Sequence, residues 1–284
     1  MELFYDKKTG YDKLDKTACM DYAEGYKAFL DAGKTERDAV EAIVRMAEAK
    51  GYKAFVRGME VKPGDKFYQV NRYKGVILAH IGRAFLADGV RLTAAHLDAP
   101  RIDIRTVPLY EQDGMAYFKT HYYGGIKKYH WLAIPLELRG VVCVCQDGKV
   151  KRVPVHVGNK PGDPKFVITD LLPHLAGEQM GKKATEVIKA ENMNVLLGSF
   201  PSENTKDGDK DRVKQAILEY LNAEYGMTEA DFLSAELSCV PAFNACDIGF
   251  DRSLIGAYGH DDRVCSYPAA TALIDAAETP AHTN

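Results

Sequence analysis

A histidine and an aspartate separated by one residue are the first candidates for chemistry in this sequence. His96 and Asp98 lie in the segment 93–100, after an apolar run that Pro100 stops. The pattern predicts a buried strand, in which side chains two residues apart point to the same side. An imidazole and a carboxylate placed this way could bind a metal ion, with the carboxylate orienting the ring or carrying a proton. A partly buried histidine is also commonly just hydrogen-bonded, so a second cluster is needed.

The second group of ligand-type side chains is the sequence His-Asp-Asp-Arg at positions 260–263, at a predicted loop-to-helix junction. Because helix N-termini favour carboxylates, Asp261 and Asp262 can be explained as ordinary helix-start residues. Asp261 could instead bridge two metal ions, since each carboxylate oxygen can bind one. Residue types alone leave both explanations open.

The elements around these clusters predict an α/β fold. A helical hairpin is expected within residues 17–50, and its second helix begins at a capping box formed by Thr35 and Asp38. Helices followed by strands favour an α/β sheet, whose sites collect at the carboxyl ends of strands, where His96 and Asp98 fall. The predicted strands are 54–56, 66–71, 76–81 and 90–96.

After Pro100 the sequence changes to short β segments joined by turn signals such as Asp113-Gly114. This predicts an antiparallel β unit inserted into the α/β domain. Its strands are expected at 101–107, 116–121, 132–145, 150–157, 192–197 and 232–240, with helices at 169–176 and 211–225. A last helix is predicted after residue 263, running to 277.

Composition limits the classes of function. The 284 residues are 46% hydrophobic and 27% charged, with a net charge of −3, which is typical of a globular protein with real cores. Lys and Arg are scattered, so there is no electrostatic footprint for nucleic acid or a membrane surface. No long apolar run is present and residues 1–6 show no signal-peptide pattern, so we expect a cytoplasmic protein.

Six cysteines follow no Cys-x-x-Cys spacing, and we expect reduced, mostly buried thiols. Cys143 and Cys145 alternate on one predicted strand, which leaves a thiolate metal site as an alternative.

Together the two clusters resemble those of the M18 metalloaminopeptidases, the aspartyl aminopeptidase family. Residues 96–100 are similar to the family's His-x-Asp-Ser-Pro, and residues 260–262 fall where it has Leu-Asp-Asn. Further matches follow in order along the chain: Tyr123-Gly124-Gly125, Trp131, Leu136 to Gly140, Val155-His156-Val157, residues 172–176 and Glu236-Leu237. The resemblance runs roughly from Lys53 to Ala277.

The resemblance implies a metal-dependent aminopeptidase that removes N-terminal residues from peptides. It implies that His96 ligates one of two divalent ions, that Asp261 bridges both, and that Asp98 orients a ligand. It also implies a cis peptide bond between Asp261 and Asp262, and it makes His174 and Asp262 candidates for contacting the peptide substrate. Zinc is the first choice of metal, with manganese or cobalt as alternatives.

The fold implied is a phosphorylase/hydrolase-like metallopeptidase sheet with helices on both faces, interrupted by a mainly-β dimerisation domain. We expect an α/β peptidase domain of residues 1–103 and 242–284 and an inserted domain of residues 104–241. The resemblance further implies a homo-oligomer built from dimers.

Several positions depart from the family pattern. After Trp131 the family has Phe-Asp-Arg-Asp, whereas residues 132–135 read Leu-Ala-Ile-Pro. Glu178 stands where many members have a second histidine, and Asp262 replaces an asparagine. A preference for acidic N-terminal residues is therefore only one option, and a broad-specificity enzyme resembling the related M42 aminopeptidases is an alternative.

The family also carries an adjacent Glu-Glu pair, general base and metal ligand, on a strand after the helix that follows the bridging aspartate. The present sequence reaches Asn284 before that strand, and His282 in its polar tail is expected to be unbound. We therefore expect the N-terminal part of a longer enzyme, inactive by itself, because a general base must be present to act. A non-catalytic oligomeric assembly protein, which uses the β unit for subunit contacts, is the alternative from another class.

Overall fold

The computed structural model describes Phe4 and residues 10–284, with the side chain of Tyr11 left out. The rest of the N-terminal stretch in which no signal-peptide pattern was found lies outside the described residues. The chain divides into two compact units, residues 1–98 with 244–284 and residues 99–243. We call them the core unit and the inserted unit and describe each by itself.

Two helices open the core unit, as the hairpin pattern predicts. Helix α1, Lys16–Ala32, begins at Asp15, whose carboxylate accepts the first free backbone N–H groups, and ends at Gly33. Helix α2, Glu36–Glu48, begins at the capping box predicted for Thr35 and Asp38. The apolar faces of both helices are buried in one core that includes Phe29, Leu30, Ala39 and Ile43.

The sheet of the core unit has three strands in the order β1-β2-β3: Lys53–Ala54, Lys66–Asn71 and Gly75–His80. Strand β1 is parallel to β2, and β2 is antiparallel to β3. The prediction of a fourth strand at 90–96 is wrong, because only Val90 forms a bridge, to Thr283, and residues 91–98 join no ladder among the described residues. A strand requires a neighbour for its backbone N–H and C=O groups, and apolar sequence cannot supply one.

The inserted unit is built on a seven-stranded sheet in the order β7-β6-β10-β4-β5-β9-β8, antiparallel throughout. Its strands are β4 Arg101–Gln112, β5 Met115–Tyr123, β6 Leu136–Gln146, β7 Lys149–Val157, β8 Val167–Ile168, β9 Val195–Gly198 and β10 Glu236–Pro241. Asp113-Gly114 and Asp147-Gly148 form two-residue turns with positive φ, which confirms the predicted hairpins. The predicted antiparallel β unit is therefore present.

The helices of the inserted unit agree less well with prediction. Helix α3 is one turn, Gly177–Met180, and α4 covers Arg212–Tyr225. The prediction of a helix at 169–176 is wrong. Pro173 disfavours helical geometry at the preceding residue, and the Asp170 carboxylate accepts the Leu171 N–H in a local turn.

The chain returns to the core unit through a hairpin of β11, Cys246–Ile248, and β12, Leu254–Gly256. Helix α5, His260–Ile274, follows, with non-helical backbone angles at Asp261 and Asp262 and the predicted cis bond between them. Tyr267 of α5 packs on Phe29 of α1 at 5.3 Å between ring centroids. Short 3-10 helices lie at Gly10–Lys13, Leu86–Asp88, Lys128–Trp131, Ala190–Asn192 and Glu229–Ser234.

The cysteines differ from their prediction. All six cysteines are free thiols, but only Cys239 is buried, so the prediction of mostly buried thiols is wrong. Cys143 is half-buried within β6, and Cys19, Cys145, Cys246 and Cys265 are exposed. No helix in the described part of the chain combines the length and apolarity needed to cross a bilayer.

Acid should weaken the core unit through His80, at the end of β3. The side chain is 1% exposed, and burial together with the charge of Lys66 on the neighbouring strand lowers the pKa of its imidazole below the usual value. The unfolded chain therefore binds more protons as the pH falls below about 6.5, and the free energy of unfolding decreases there. In urea titrations at several pH values, we expect His80→Gln to make the free energy of unfolding depend less on pH. His282→Gln replaces a half-buried histidine of the same unit and is the control, which should keep the pH dependence of the parent chain. An equal dependence of the free energy of unfolding on pH in both variants would contradict the role of His80.

Candidate metal centre

One ring nitrogen of His96 is held by the residue two positions later. Nδ1 lies 3.0 Å from the backbone oxygen of Asp98 and 3.2 Å from its Oδ1. Both partners are acceptors, so Nδ1 donates its hydrogen to them, and in the neutral ring this leaves the lone pair on Nε2. This is the arrangement expected of a metal-binding histidine whose ring is oriented by a carboxylate.

The other ring nitrogen faces the aspartate pair at the start of α5. Nε2 lies 3.4 Å from Oδ1 of Asp261 and 3.7 Å from Oδ2 of Asp262. The three ligand atoms lie within 4.8 Å of one another, and in the described ranges this is the one group of three such side chains. An imidazole nitrogen with two carboxylates is a donor set that suits zinc, manganese or cobalt. A cation would also relieve the repulsion between the two carboxylates.

The backbone at the start of α5 aims these carboxylates. Gly259 has a left-handed conformation, φ 89°, and the two aspartates that follow depart from helical geometry. Glycine at the N-cap position has no side chain to cap the helix, and the side chains of Asp261 and Asp262 lie beside His96. Asp261 and Asp262 are therefore more than ordinary helix-start residues, because their carboxylates face His96. The Cys265 thiol donates to Asp262, and this bond raises the pKa of the thiol.

His260, next to Asp261 in sequence, is not available as a ligand. Its Nε2 lies 3.1 Å from the Ile255 carbonyl oxygen and its Nδ1 lies 2.9 Å from the hydroxyl of Tyr26. Burial raises the pKa of Tyr26 to about 12, so the hydroxyl keeps its proton and donates it to the ring. Both nitrogens are thus occupied, Nδ1 in linking α5 to α1 and Nε2 in linking α5 to β12.

The burial of Arg263, a residue of the second cluster, was not predicted from the sequence. It is fully buried, and its three guanidinium nitrogens have no hydrogen-bond partner among the described residues. Burial lowers its pKa, while the charges of Glu36, Asp38 and Asp98 act in the opposite direction. Helical spacing was the available signal, because Arg263 shares a face of α5 with Tyr267, Ala270 and Ile274, all buried.

The remaining predicted residues lie elsewhere. His174 belongs to the inserted unit, where it is exposed in the turn before α3, and Glu178 lies within α3. His282 lies in the core unit but outside the cluster that contains His96. Cys143 and Cys145 form no candidate metal cluster within the described residues.

The architecture now defines a class: an α/β unit with a His–carboxylate cluster, interrupted by an antiparallel β unit. Residues 29–284 match the family model described as aminopeptidase I zinc metalloprotease (M18). Over 282 residues the chain is 43% identical to a protein of Clostridium acetobutylicum named probable M18 family aminopeptidase 1. That alignment covers 96% of this chain and 59% of the relative. This chain belongs to the M18 aminopeptidase family, a family of hydrolases.

Solved structures agree with this assignment. The crystal structure of an M18 aminopeptidase from Thermotoga maritima is similar with a TM-score of 0.89 and 40% identity, over 99% of this chain and 60% of that one. The dodecamer of S. cerevisiae mApe1 is similar in fold, with a TM-score of 0.69 at 19% identity, over 91% of this chain and 56% of that one. The predicted family and mixed α/β fold class are confirmed. The chain spans about three fifths of the length of the relatives it matches.

Proposed function

We propose that the cluster of His96, Asp261 and Asp262 is the metal-binding half of an aminopeptidase centre. The observation that carries the proposal is that Nε2 of His96 and the two carboxylates converge within 4.8 Å, although they lie far apart in sequence. Membership of a family described as zinc metalloproteases supports zinc as the first candidate, with manganese and cobalt as alternatives.

We further propose a site for two ions, with Asp261 as the bridge. One carboxylate oxygen of Asp261 faces His96, and the side chain as a whole is 75% exposed, which leaves its second oxygen accessible to another ion. Asp98 acts as the orienting residue, because it accepts the Nδ1 hydrogen and keeps the Nε2 lone pair on the site. Bound divalent ions would supply an activated water and polarise the scissile carbonyl.

The proposed reaction is hydrolysis of the N-terminal residue of a peptide. Asp262 places a second negative charge beside His96, a surrounding that suits the free amine of a peptide better than an acidic side chain. A preference for acidic N-terminal residues would therefore need positively charged side chains outside this cluster. His174 of the inserted unit remains a proposed substrate contact.

We propose that these 284 residues bind metal but do not turn over substrate. No glutamate joins the cluster in the part of the chain described here, so no general base is placed beside it. We also propose that longer members assemble through the inserted unit as a dimerisation domain. The dodecamer described for S. cerevisiae mApe1 supports an oligomer.

Metal titration tests the site directly. We expect Co²⁺ to give visible absorption bands on this chain and Zn²⁺ to displace it, as followed by calorimetry. His96→Ala and Asp261→Ala should each weaken binding by more than about 100-fold, because each removes a ligand rather than its support. His121→Ala, which removes an exposed histidine of the inserted unit, is the matched control and should bind as the parent does. Unchanged binding in either ligand variant would overturn the site.

A further inference from the structure

The first turn of α5 receives little support from its own backbone. Asp261 and Asp262 depart from helical geometry, with ψ angles of 105° and 41°. The backbone bond that closes this turn, from the Arg263 N–H to the Gly259 oxygen, is long at 3.3 Å. Gly259 at the N-cap has no side chain to accept a free N–H group. Helical hydrogen bonding therefore does not fix the direction in which the Asp261 side chain leaves the backbone.

The carboxylate of Asp261 is also weakly restrained at its outer end. The side chain is 75% exposed, and its Oδ1 lies 3.4 Å from Nε2 of His96. A carboxylate with this much open space around it has room for other staggered rotamers. Its place beside His96 therefore depends on the backbone that carries it.

His260, the residue directly before Asp261, supplies a firm anchor for that backbone. Its Nε2 lies 3.1 Å from the carbonyl oxygen of Ile255, which can only accept, so Nε2 carries the hydrogen. Nδ1 then holds the lone pair and accepts from the hydroxyl of Tyr26 at 2.9 Å. Because the ring is bonded at both nitrogens, to β12 and to α1, a rotation about either side-chain torsion would break one of these bonds.

The donor of the second bond is itself held in place. Tyr26 is only 9% exposed and lies on the face of α1 that packs against α5. Its ring centroid is 5.7 Å from that of His260 and 5.3 Å from that of Tyr267, both residues of α5. A continuous set of contacts therefore runs from α1 through Tyr26 and His260 to the backbone of Asp261.

We propose that Tyr26 and His260 are positioning residues of the metal site. The bond between them fixes the backbone at His260, and this sets the direction of the Asp261 carboxylate toward His96. A ligand that is already in place before the ion arrives binds it more tightly, and residues that hold ligands in place contribute to metal affinity without touching the ion. The inference rests on the proposed function, because it requires Asp261 to bind metal.

Tyr26→Phe tests the proposal by removing the hydroxyl and keeping the ring. We expect Zn²⁺ binding, measured by competition with a chromophoric chelator, to weaken about tenfold. The visible bands of bound Co²⁺ should change shape, because the geometry of the ligands around the ion is altered. Tyr22→Phe is the matched control, since the Tyr22 hydroxyl also joins α1 to α5, at 2.9 Å from Oγ1 of Thr271. It removes a bond of the same kind far along α5 from Asp261, and it should bind both ions as the parent chain does.

Hydrogen exchange on the metal-free chain provides a reading that does not require an ion. The Arg263 amide lies in the first turn of α5, and the Asp275 amide, which donates to the Thr271 oxygen at 2.8 Å, lies at its other end. Tyr26→Phe should speed exchange at Arg263 by about two- to tenfold, the effect of losing one hydrogen bond, and leave Asp275 unchanged. Tyr22→Phe should leave Arg263 unchanged.

A double-mutant cycle tests whether Tyr26 acts through His260. His260→Leu removes both anchoring nitrogens and should weaken Zn²⁺ binding by about 10- to 100-fold. The double variant with Tyr26→Phe should bind as His260→Leu alone does, because the hydroxyl then has no ring nitrogen to hold. Additive losses would contradict the proposal.

The outcomes separate this inference from the proposed function. A parent chain that binds no metal would overturn the proposed function and this inference with it. A parent chain that binds metal, together with a Tyr26→Phe chain that binds it as tightly as Tyr22→Phe, would overturn this inference alone. Equal losses of affinity in Tyr26→Phe and Tyr22→Phe would also overturn it, because they would reduce both effects to the packing of α1 on α5.

Discussion

Replacing Gly140 with alanine is expected to lower the free energy of unfolding of the inserted unit by about 3 kcal/mol or more. Gly140 lies on strand β6, which is paired on both sides by β7 and β10, and it stands opposite Leu237 of β10 with φ at 145°. A Cβ there would overlap the Glu236 carbonyl oxygen and approach the Glu236 carbonyl carbon to 2.9 Å and the Leu237 Cα to 3.0 Å. These are backbone atoms of a paired strand, so they cannot move aside without breaking the ladder.

Urea unfolding followed by Trp131 fluorescence measures this loss, because Trp131 is the one tryptophan and is buried in the inserted unit. Gly125→Ala is the matched control: no heavy atom lies within 4 Å of its Cβ position and its φ is not in the strained range. It should change stability by less than about 1 kcal/mol. A Gly140→Ala protein as stable as the control would show that β6 and β10 do not approach this closely.

Removing the charge from Asp98 is expected to weaken metal binding by about 10- to 100-fold. Asparagine keeps the size of the side chain but accepts the His96 Nδ1 hydrogen without a negative charge, so the Nε2 lone pair becomes a poorer ligand. The backbone oxygen of Asp98 still accepts from the same nitrogen at 3.0 Å. The loss should therefore be smaller than that in His96→Ala, and this ranking distinguishes an orienting residue from a ligand.

Competition of Zn²⁺ binding against a chromophoric chelator measures these affinities. Asp88→Asn, an exposed aspartate of the core unit in the 3-10 helix Leu86–Asp88, is the control for loss of one negative charge. An Asp98→Asn protein that binds as tightly as this control would show that Asp98 does not support His96. One that binds no better than His96→Ala would make Asp98 a ligand.

Two family-like stretches of the sequence acquire a physical reason from the structure. The motif that ends at Gly140 and the separate pair Glu236-Leu237 are neighbours, since β6 and β10 pair through these positions. Glycine is required because the Glu236 carbonyl lies where a Cβ would be. The resemblance could point to both stretches, but only the register explains why they occur together.

Local chemistry was sufficient wherever an element depends on its own residues. The capping box of Thr35 and Asp38 and the turn at Asp113-Gly114 could be predicted, because their hydrogen bonds and backbone angles involve neighbours in sequence. The apolar stripes of α1 and α2 were equally readable, since a 3.6-residue period needs no knowledge of the partner.

Long-range contacts decided the rest. The apolar run before His96 reads as a strand, yet it forms no ladder in the described chain, because pairing depends on a partner that local sequence does not specify. The burial of Arg263 and the occupation of both nitrogens of His260 also depend on which helices and strands pack against α5. His96 and Asp261 could be matched by type, but only folding places Nε2 at 3.4 Å from the carboxylate, since side chains far apart in sequence meet through the contacts of the elements between them.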